Sequence, residues 1–402
     1  MPRALEGHER LESLQKEDIR IDAVVNEFKD RFGCEPACVV QAPGRVEVMG
    51  GHTDYNDGFV MPTAINRNIL IAASATQEDT ATAYSRNFDE TSTFSVIKPE
   101  RSQDAPWSNY IRGVVDQLAK AGIQTPGMQM VVDGSVPLGS GLSSSAALEV
   151  ATAFAVYEVT GQSLPGKETA LLCQRAENQF VGVNSGIMDQ FISVLGQEGK
   201  AMFLDCRSLD YQHVSYPPGT RIVVCDSKKP RTLAGSEYNI RRAQCEEAVR
   251  ILKQHIPGIK ALRDVSAEDL AAHESKLPEV VRKRARHIVR ENDRVLQAVR
   301  ALNHGDSAAF GDLLNESHAS SRDLYEISCD ELNWLQEAAV SVDGCLGSRL
   351  SGAGFGGCTV SIVREGALEQ FERVVTERFR AKAGIEPGVD VMSAAGGAGR
   401  VR

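Results

Sequence analysis

No apolar run in the 402-residue chain approaches the roughly 18 residues needed to cross a bilayer. Residues 1–20 are charged and lack an apolar core, so no signal peptide is expected. A basic surplus is missing too, with 44 Lys and Arg against 54 Asp and Glu, a formal charge of −10. A nucleic-acid surface needs a positive face to displace counterions. The charge therefore argues against nucleic acid, and any small anion must be met by local positive charge. Nine cysteines are an odd count at ordinary density, and the closest pair, Cys34 and Cys38, has no second Cys or His pair at zinc-site distance. Reduced thiols in a cytoplasmic protein follow, without a disulfide framework or metal cluster. There is no short repeat or low-complexity tract.

What is present is enough chain for two mixed α/β domains, with a small-molecule site between them. Apolar spacing predicts a helix over 18–32 ending at Gly33. Short apolar runs between 38 and 73 alternate with turn residues and read as β structure holding a functional loop. Residues 128–132 alternate as a strand, and 143–160 read as an Ala-rich helix, giving the order strand, glycine-rich loop, helix. Further on, 222–226 read as a buried strand, 237–253 as a polar helix, and 277–302 as a helix with a basic stripe (Arg282, Lys283, Arg284, Arg286), expected to be a solvated face. The apolar pattern breaks near 204–218, which predicts domains over 20–210 and 211–402.

Four stretches carry chemistry. Pro137-Leu138-Gly139-Ser140-Gly141-Leu142-Ser143-Ser144-Ser145-Ala146-Ala147 lets backbone approach an anion, and the helix that follows aims unpaired N–H groups at it. It is neither a Walker loop, lacking Gly-Lys-Ser/Thr, nor a dinucleotide fingerprint, since Ser144 stands at the third glycine position; a serine-capped turn is the bland alternative. A second glycine-rich stretch, 348–358, leads into a strand over 359–363, and its bland alternative is tight backbone packing. Gly44-Arg45-Val46-Glu47-Val48-Met49-Gly50-Gly51-His52-Thr53-Asp54-Tyr55-Asn56-Asp57-Gly58 packs the donors and acceptors a polyhydroxylated ligand needs. In Gly186-Ile187-Met188-Asp189-Gln190-Phe191, a carboxylate sits among apolar residues, where alone it reads as a helix N-terminal acid.

Together these stretches resemble the GHMP small-molecule kinases, and within them the galactokinase family. WSNYIRG (107–113), LDCRSL (204–209), SEYNIRRAQCEE (236–247) and HASSRDLYEISCDEL (318–332) extend the likeness from about Phe28 to Cys358. The resemblance implies a two-domain α/β (α+β) GHMP kinase fold with the active site in the cleft between domains. It implies ATP as co-substrate, held by Pro137, Gly139, Ser140, Gly141, Leu142, Ser143, Ser144, Ser145 and Ala146, with Mg²⁺ at Ser144 and Ser145. Gly51, His52, Asp54, Gly186 and Tyr238 fall on the sugar-binding positions, and Asp189 and Arg45 on the catalytic ones. Phosphoryl transfer to the C1 hydroxyl asks mainly for positioning and positive charge. Arg45 and the loop amides can supply the charge, while Asp189 accepts or orients the O1 proton. The partners implied are a sugar and ATP, with no nucleic acid or membrane, in a monomer or weak oligomer.

One departure bears on the substrate. The family reads G-E-H-T-D-Y-N where this chain reads Gly50-Gly51-His52-Thr53-Asp54-Tyr55-Asn56, so the acid that meets the C6 end of the sugar is Gly51 here. Alone, this predicts weak discrimination at C6, leaving D-galactose, L-arabinose and galacturonate open as substrates. Ala353 replaces a usual glycine, a smaller change. A non-catalytic sugar sensor of the same family is the alternative of another class, but such proteins lose part of the Ser-Ser-Ser-Ala run, which is intact here. The His52–Asn56 block argues against mevalonate- or homoserine-like substrates.

Overall fold

In the computed structural model, residues 2–137, 139–230 and 234–402 are described. The strands among them are β1 (Cys38–Met49), β2 (Phe59–Thr76), β3 (Thr80–Ser85), β4 (Glu90–Ser95), β5 (Gly127–Gly134), β6 (Lys200–Asp205), β7 (Tyr211–Ser215), β8 (Thr220–Asp226), β9 (Cys345–Ser351), β10 (Cys358–Arg364), β11 (Gly388–Met392) and β12 (Gly399–Arg400). One sheet runs β12-β1-β2-β5-β3-β4, with β6 on β2 and β7 on β6; the other is β11-β8-β10-β9. Among the described residues only the β3–β5 pair is parallel.

The period-2 alternation of β2 separates two cores. Leu70 and Ala72 face the helix Pro2–Phe32 through Val24, Val25 and Phe28, whereas Ile69, Ile71 and Ala73 face the helices Ser108–Lys120 and Ser144–Thr160. In the second sheet, Val223 and Cys225 meet the helices Asp330–Val340 and Leu368–Ala383 through Leu335, Phe371 and Phe379. Ile222 and Val224 look the other way, into a core shared with Val46, Val48 and Met61 of the first sheet. The two sheets therefore meet directly behind β1, and the residues of β1 that point away from this shared core are available to a cleft.

Several expectations are adjusted. The apolar runs between 38 and 73 merge into two long strands, because β1 absorbs irregularities between Pro43 and Arg45 and between Glu47 and Met49 as register shifts. The N-terminal helix begins at Pro2, well before 18, and ends at Gly33, whose φ of 72° suits only glycine comfortably. The basic stripe is a solvated face only in part. Arg284 is buried, donating to Glu326, Gln244 and the Leu324 carbonyl, while Lys283 pairs with Glu326 and Arg286 with Glu274. Acids brought from outside the helix pair with three of its four bases. Among the described residues no helix is long and apolar enough to cross a membrane, and all nine cysteines are free thiols.

Candidate active site

Arg45 emerges from β1 at the first register shift, where Gly44 allows the glycine loop to touch the strand. A Cβ on Gly44 would lie 2.6 Å from the Leu142 carbonyl, the same oxygen that accepts the Arg45 N–H at 2.9 Å. The loop follows with Gly139 and Gly141 at φ of 72° and 82°, and with Ser143 also left-handed at 60°. A non-glycine residue held there stores strain, a feature that concentrates at functional sites. The turn is tightened by Ser140, whose hydroxyl donates to the Pro137 carbonyl at 2.7 Å. Leu138 lies outside the described residues. The helix Ser144–Thr160 then starts with its N-terminus, and with Ser144 and Ser145, at the cavity.

Asp189 sits in the first turn of the helix Met188–Leu195, which is tied to β1 by a hydrogen bond from Ser193 to the Pro43 carbonyl (2.8 Å). Its carboxylate receives Arg45 in bidentate fashion, Nε at 2.7 Å and Nη2 at 2.6 Å, and also the Ser143 hydroxyl. Arg45 Nη1 donates to the Gly141 carbonyl at 2.6 Å. Burial works against the guanidinium charge, but Asp189 and Glu47 outweigh it and hold the Arg45 pKa above its ordinary value. Three of the five guanidinium N–H groups are engaged by these bonds, leaving two for an incoming anion.

The helix Glu279–Asn303 anchors the loop 50–58 and the start of β2 at three points. His287 Nε2 donates to the Gly51 carbonyl (3.1 Å), Glu291 accepts the Gly50 N–H (3.1 Å), and Asn292 accepts the Phe59 N–H (2.9 Å). His52, at φ 61°, hydrogen-bonds the Ala353 carbonyl through Nε2 and Tyr55 through Nδ1. Since a carbonyl only accepts, Nε2 carries the proton; burial, with His287 nearby, pulls the His52 pKa down to about 3 and keeps the ring neutral. The Tyr238 ring packs against His52 in a tilted arrangement with centroids 5.2 Å apart. Asp54 abuts Gly186, where a Cβ would come within 1.8 Å of its Oδ2, so position 186 is glycine by necessity. Burial and the charges of Glu47 and Asp189 push the Asp54 carboxyl up to about 7.

These groups line a cavity of about 550 Å³, within the usual range for small-molecule sites. All the residues singled out from sequence line it except Gly51, Ser140 and Ala146. Ser140 acts inside the loop, Ala146 is buried in the helix, and Gly51 offers only its carbonyl, turned to His287. Two lining carboxylates escaped the sequence reading. Glu47 is two residues beyond Arg45 on the same strand, and period-2 alternation would have placed both on one face. Glu177 comes from a π-helical turn, Ala176–Val181, that has no sequence signal. Its carboxylate accepts from Gln190 Nε2 (2.8 Å) and the Ser185 hydroxyl, and burial pushes its pKa up against the pull of the Ser185, Gln190 and Ser145 donors. Behind it Glu149 shares Gln190, with one buried oxygen unpartnered. Among the described residues no cluster of three or more His, Cys, Asp or Glu side chains could cage a metal.

Three family signatures match: the GHMP kinases N terminal domain over 109–197, the galactokinase galactose-binding signature over 26–75, and the GHMP kinases C terminal domain over 298–381. A galactokinase from Roseiflexus sp. (strain RS-1) is 49% identical over 374 residues, spanning 93% of this chain and 95% of its own. The crystal structure of Lactococcus lactis galactokinase complexed with galactose superposes with a TM-score of 0.91 at 34% identity, covering 95% of this chain and 100% of that one. Mevalonate kinase from Methanococcus jannaschii shares the fold alone, at a TM-score of 0.63 and 16% identity over 89% of this chain and 98% of its own.

Proposed function

The chain belongs to the galactokinase family of the GHMP kinases, and from that premise we propose how its residues transfer the ATP γ-phosphoryl group to the C1 hydroxyl of D-galactose, giving galactose 1-phosphate and ADP. The observation that carries the assignment of roles is the Arg45–Asp189–Ser143 cluster, lying where the glycine loop meets a helix N-terminus.

Phosphoryl transfer needs an acceptor hydroxyl in line with the phosphate and positive charge around the equatorial oxygens. Asp189 has about four lone-pair directions, three of them engaged, and the fourth takes the O1 proton. Arg45 turns its two remaining N–H groups to the transferring phosphoryl, and the amides from Gly139 to Ser145 and the helix dipole receive the ATP phosphates. His52, Asp54, Gly186 and Tyr238 hold the sugar hydroxyls.

Mg²⁺ on a nucleotide is held by one or two carboxylates plus phosphates and waters, not by an all-protein cage. Ser144, Ser145 and Glu177 are oxygen donors of that kind at the phosphate end of the cavity, so the residues fit the ion. When bound, it supplies charge neutralisation between the phosphates.

The two sheets support a division into domains near 210, with β7 and β12 attached to the first sheet. Nine free thiols support a cytoplasmic enzyme, which we expect to be a monomer or weak oligomer. The test is ADP release from ATP and Mg²⁺ over a panel of hexoses and pentoses, with the product position read by ³¹P NMR. Galactose 1-phosphate is the expected product; ATP and galactose binding without turnover would instead indicate a sensor.

A further inference from the structure

One pleat along β1 from Arg45, the cavity carries a carboxylate to which the phosphoryl-transfer reading gives no task. Glu47 lines the cavity and accepts a 2.9 Å hydrogen bond from Arg349 Nη1. Arg349 is fully buried behind it, does not line the cavity, and has Nε and Nη2 without hydrogen-bond partners. The guanidinium thus meets Glu47 from the protein side, and the carboxylate is what the cavity sees. The Ser351 hydroxyl fixes the strand at this point, accepting the Glu47 N–H at 2.9 Å.

Spacing makes this carboxylate useful. The β1–β2 register is unbroken from Arg45 to Glu47, so the two side chains leave the same face about 6.8 Å apart along the strand, the scale of one sugar ring. A pyranose with O1 at Asp189 and Arg45 therefore turns its far end toward Glu47. Position 51 explains itself by the same geometry. A Cβ on Gly51 would stand 2.7 Å from Arg349 Nη2 and 3.2 Å from Glu47 Oε1, so the ion pair fills the volume a side chain would need.

We infer that Glu47, oriented by Arg349, is the residue that reads the C6 substituent, accepting a hydrogen bond from a hydroxymethyl group and repelling a carboxylate. The inference rests on the galactokinase reading and deepens it. It also reverses the expectation drawn from Gly51 alone, since the acid has not been lost from the site but enters it from the strand.

The test compares kcat/KM for D-galactose, 6-deoxy-D-galactose, L-arabinose and D-galacturonate on the parent, Glu47→Gln and Glu47→Ala. The parent should prefer galactose to the 6-deoxy sugar and to arabinose by about 10- to 100-fold, mostly through KM, as expected for a hydrogen bond to a charged acceptor. Both substitutions should shrink that ratio to a few-fold, and Glu47→Gln should raise the relative efficiency on galacturonate. Calorimetric titration of the parent with galactose and with the 6-deoxy sugar supplies the same comparison should the variants not fold. Equal efficiency and equal affinity for the two sugars on the parent would overturn the inference and leave the kinase reading standing, as would a uniform loss on all four sugars in the variants. Absence of turnover on any of them would overturn the kinase reading itself.

Discussion

Two ion pairs grow from neighbouring positions of one strand and meet opposite surroundings. Arg45 and Asp189 have side chains 8% and 22% exposed, and the acid opens onto the cavity. Glu47 and Arg349 are 4% and 0% exposed, and there the base is sealed in protein. The first pair keeps bonding capacity for a ligand, and water reaches it when the ligand is absent. The second meets the cavity only through Glu47, and its guanidinium cannot be resolvated if the pair is broken, because desolvation of a buried ion is repaid only by its partner. Chemistry should therefore be concentrated in the first pair and stability in the second.

The largest effect that tests this contrast is on rate. Asp189→Ala should lower kcat for galactose by about 100- to 10,000-fold, and Arg45→Ala comparably, while urea melting shifts each by less than about 2 kcal/mol. Turnover within a few-fold of the parent in Asp189→Ala would remove Asp189 from the reaction centre. The complementary substitution, Arg349→Met, leaves Glu47 as an uncompensated buried charge and should cost about 3–5 kcal/mol of stability. Its kcat, measured on protein that remains folded, should fall far less than that of Asp189→Ala. A variant that melts like the parent would show that the second pair is not the sealed one.

The glycine loops teach a related lesson about legibility. In sequence, 137–147 and 348–358 are two glycine-rich stretches that raise the same suspicion of a nucleotide site. In the fold, Gly139 has nothing within 4 Å of its missing Cβ, whereas a Cβ on Gly354 would lie 2.3 Å from the Ile327 carbonyl and one on Gly356 2.8 Å from that of Lys229. Backbone already fills the room at Gly354 and Gly356, whereas the space beside Gly139 is open and, on the proposed reading, is left for a ligand. Composition cannot separate these reasons, since both produce the same letters. What could be read were features with a period or a local partner: the helices, the strand–loop–helix order, and motif residues close in sequence. What could not were Glu177, on a π-turn, and Arg349, whose partner Glu47 is 302 residues away. The burial of Arg284 is illegible for the same reason, because its acid partner, Glu326, comes from another element.

Substitution in each loop sharpens that distinction. Gly141→Val should raise the KM for ATP by at least about tenfold, because a β-branched side chain at a φ of 82° blocks backbone approach to the phosphates. Gly354→Ala should leave the KM for ATP within a few-fold and instead cost about 2 kcal/mol of stability, from a φ of 81° and the contact with Ile327. The reverse pattern would exchange the roles of the two loops.

The smallest effect contrasts two carboxylates by the sign of their pH dependence. Asp205 is opposed by burial, but Arg263 and the N–H groups of Arg207 and Ser208 bring its pKa down to about 2, and Arg263 also grips the Asp57 carbonyl at the end of the loop 50–58. Its folded pKa lies below the unfolded value, so its contribution is complete above about pH 4 and is lost as pH falls toward 2. Asp54 is the opposite case, raised to about 7, so the folded protein keeps a proton that the unfolded chain releases near pH 4, and stability declines as pH rises from about 4 to 7. Each amounts to about 1 kcal/mol once contact with water at the surface or in the cavity is allowed for. Asp205→Asn should therefore be less stable than the parent at pH 7, with the gap closing as pH approaches 2. Asp54→Asn should be more stable than the parent, by a margin that opens between pH 4 and 7, while galactose affinity measured at pH 8, above the Asp54 pKa of about 7, falls at least about tenfold from loss of a charged acceptor. Urea midpoints across pH 2 to 8 read both gaps. A pH-independent margin for Asp54→Asn would mean that another group holds the proton, and that Asp54 is ionised in the empty site.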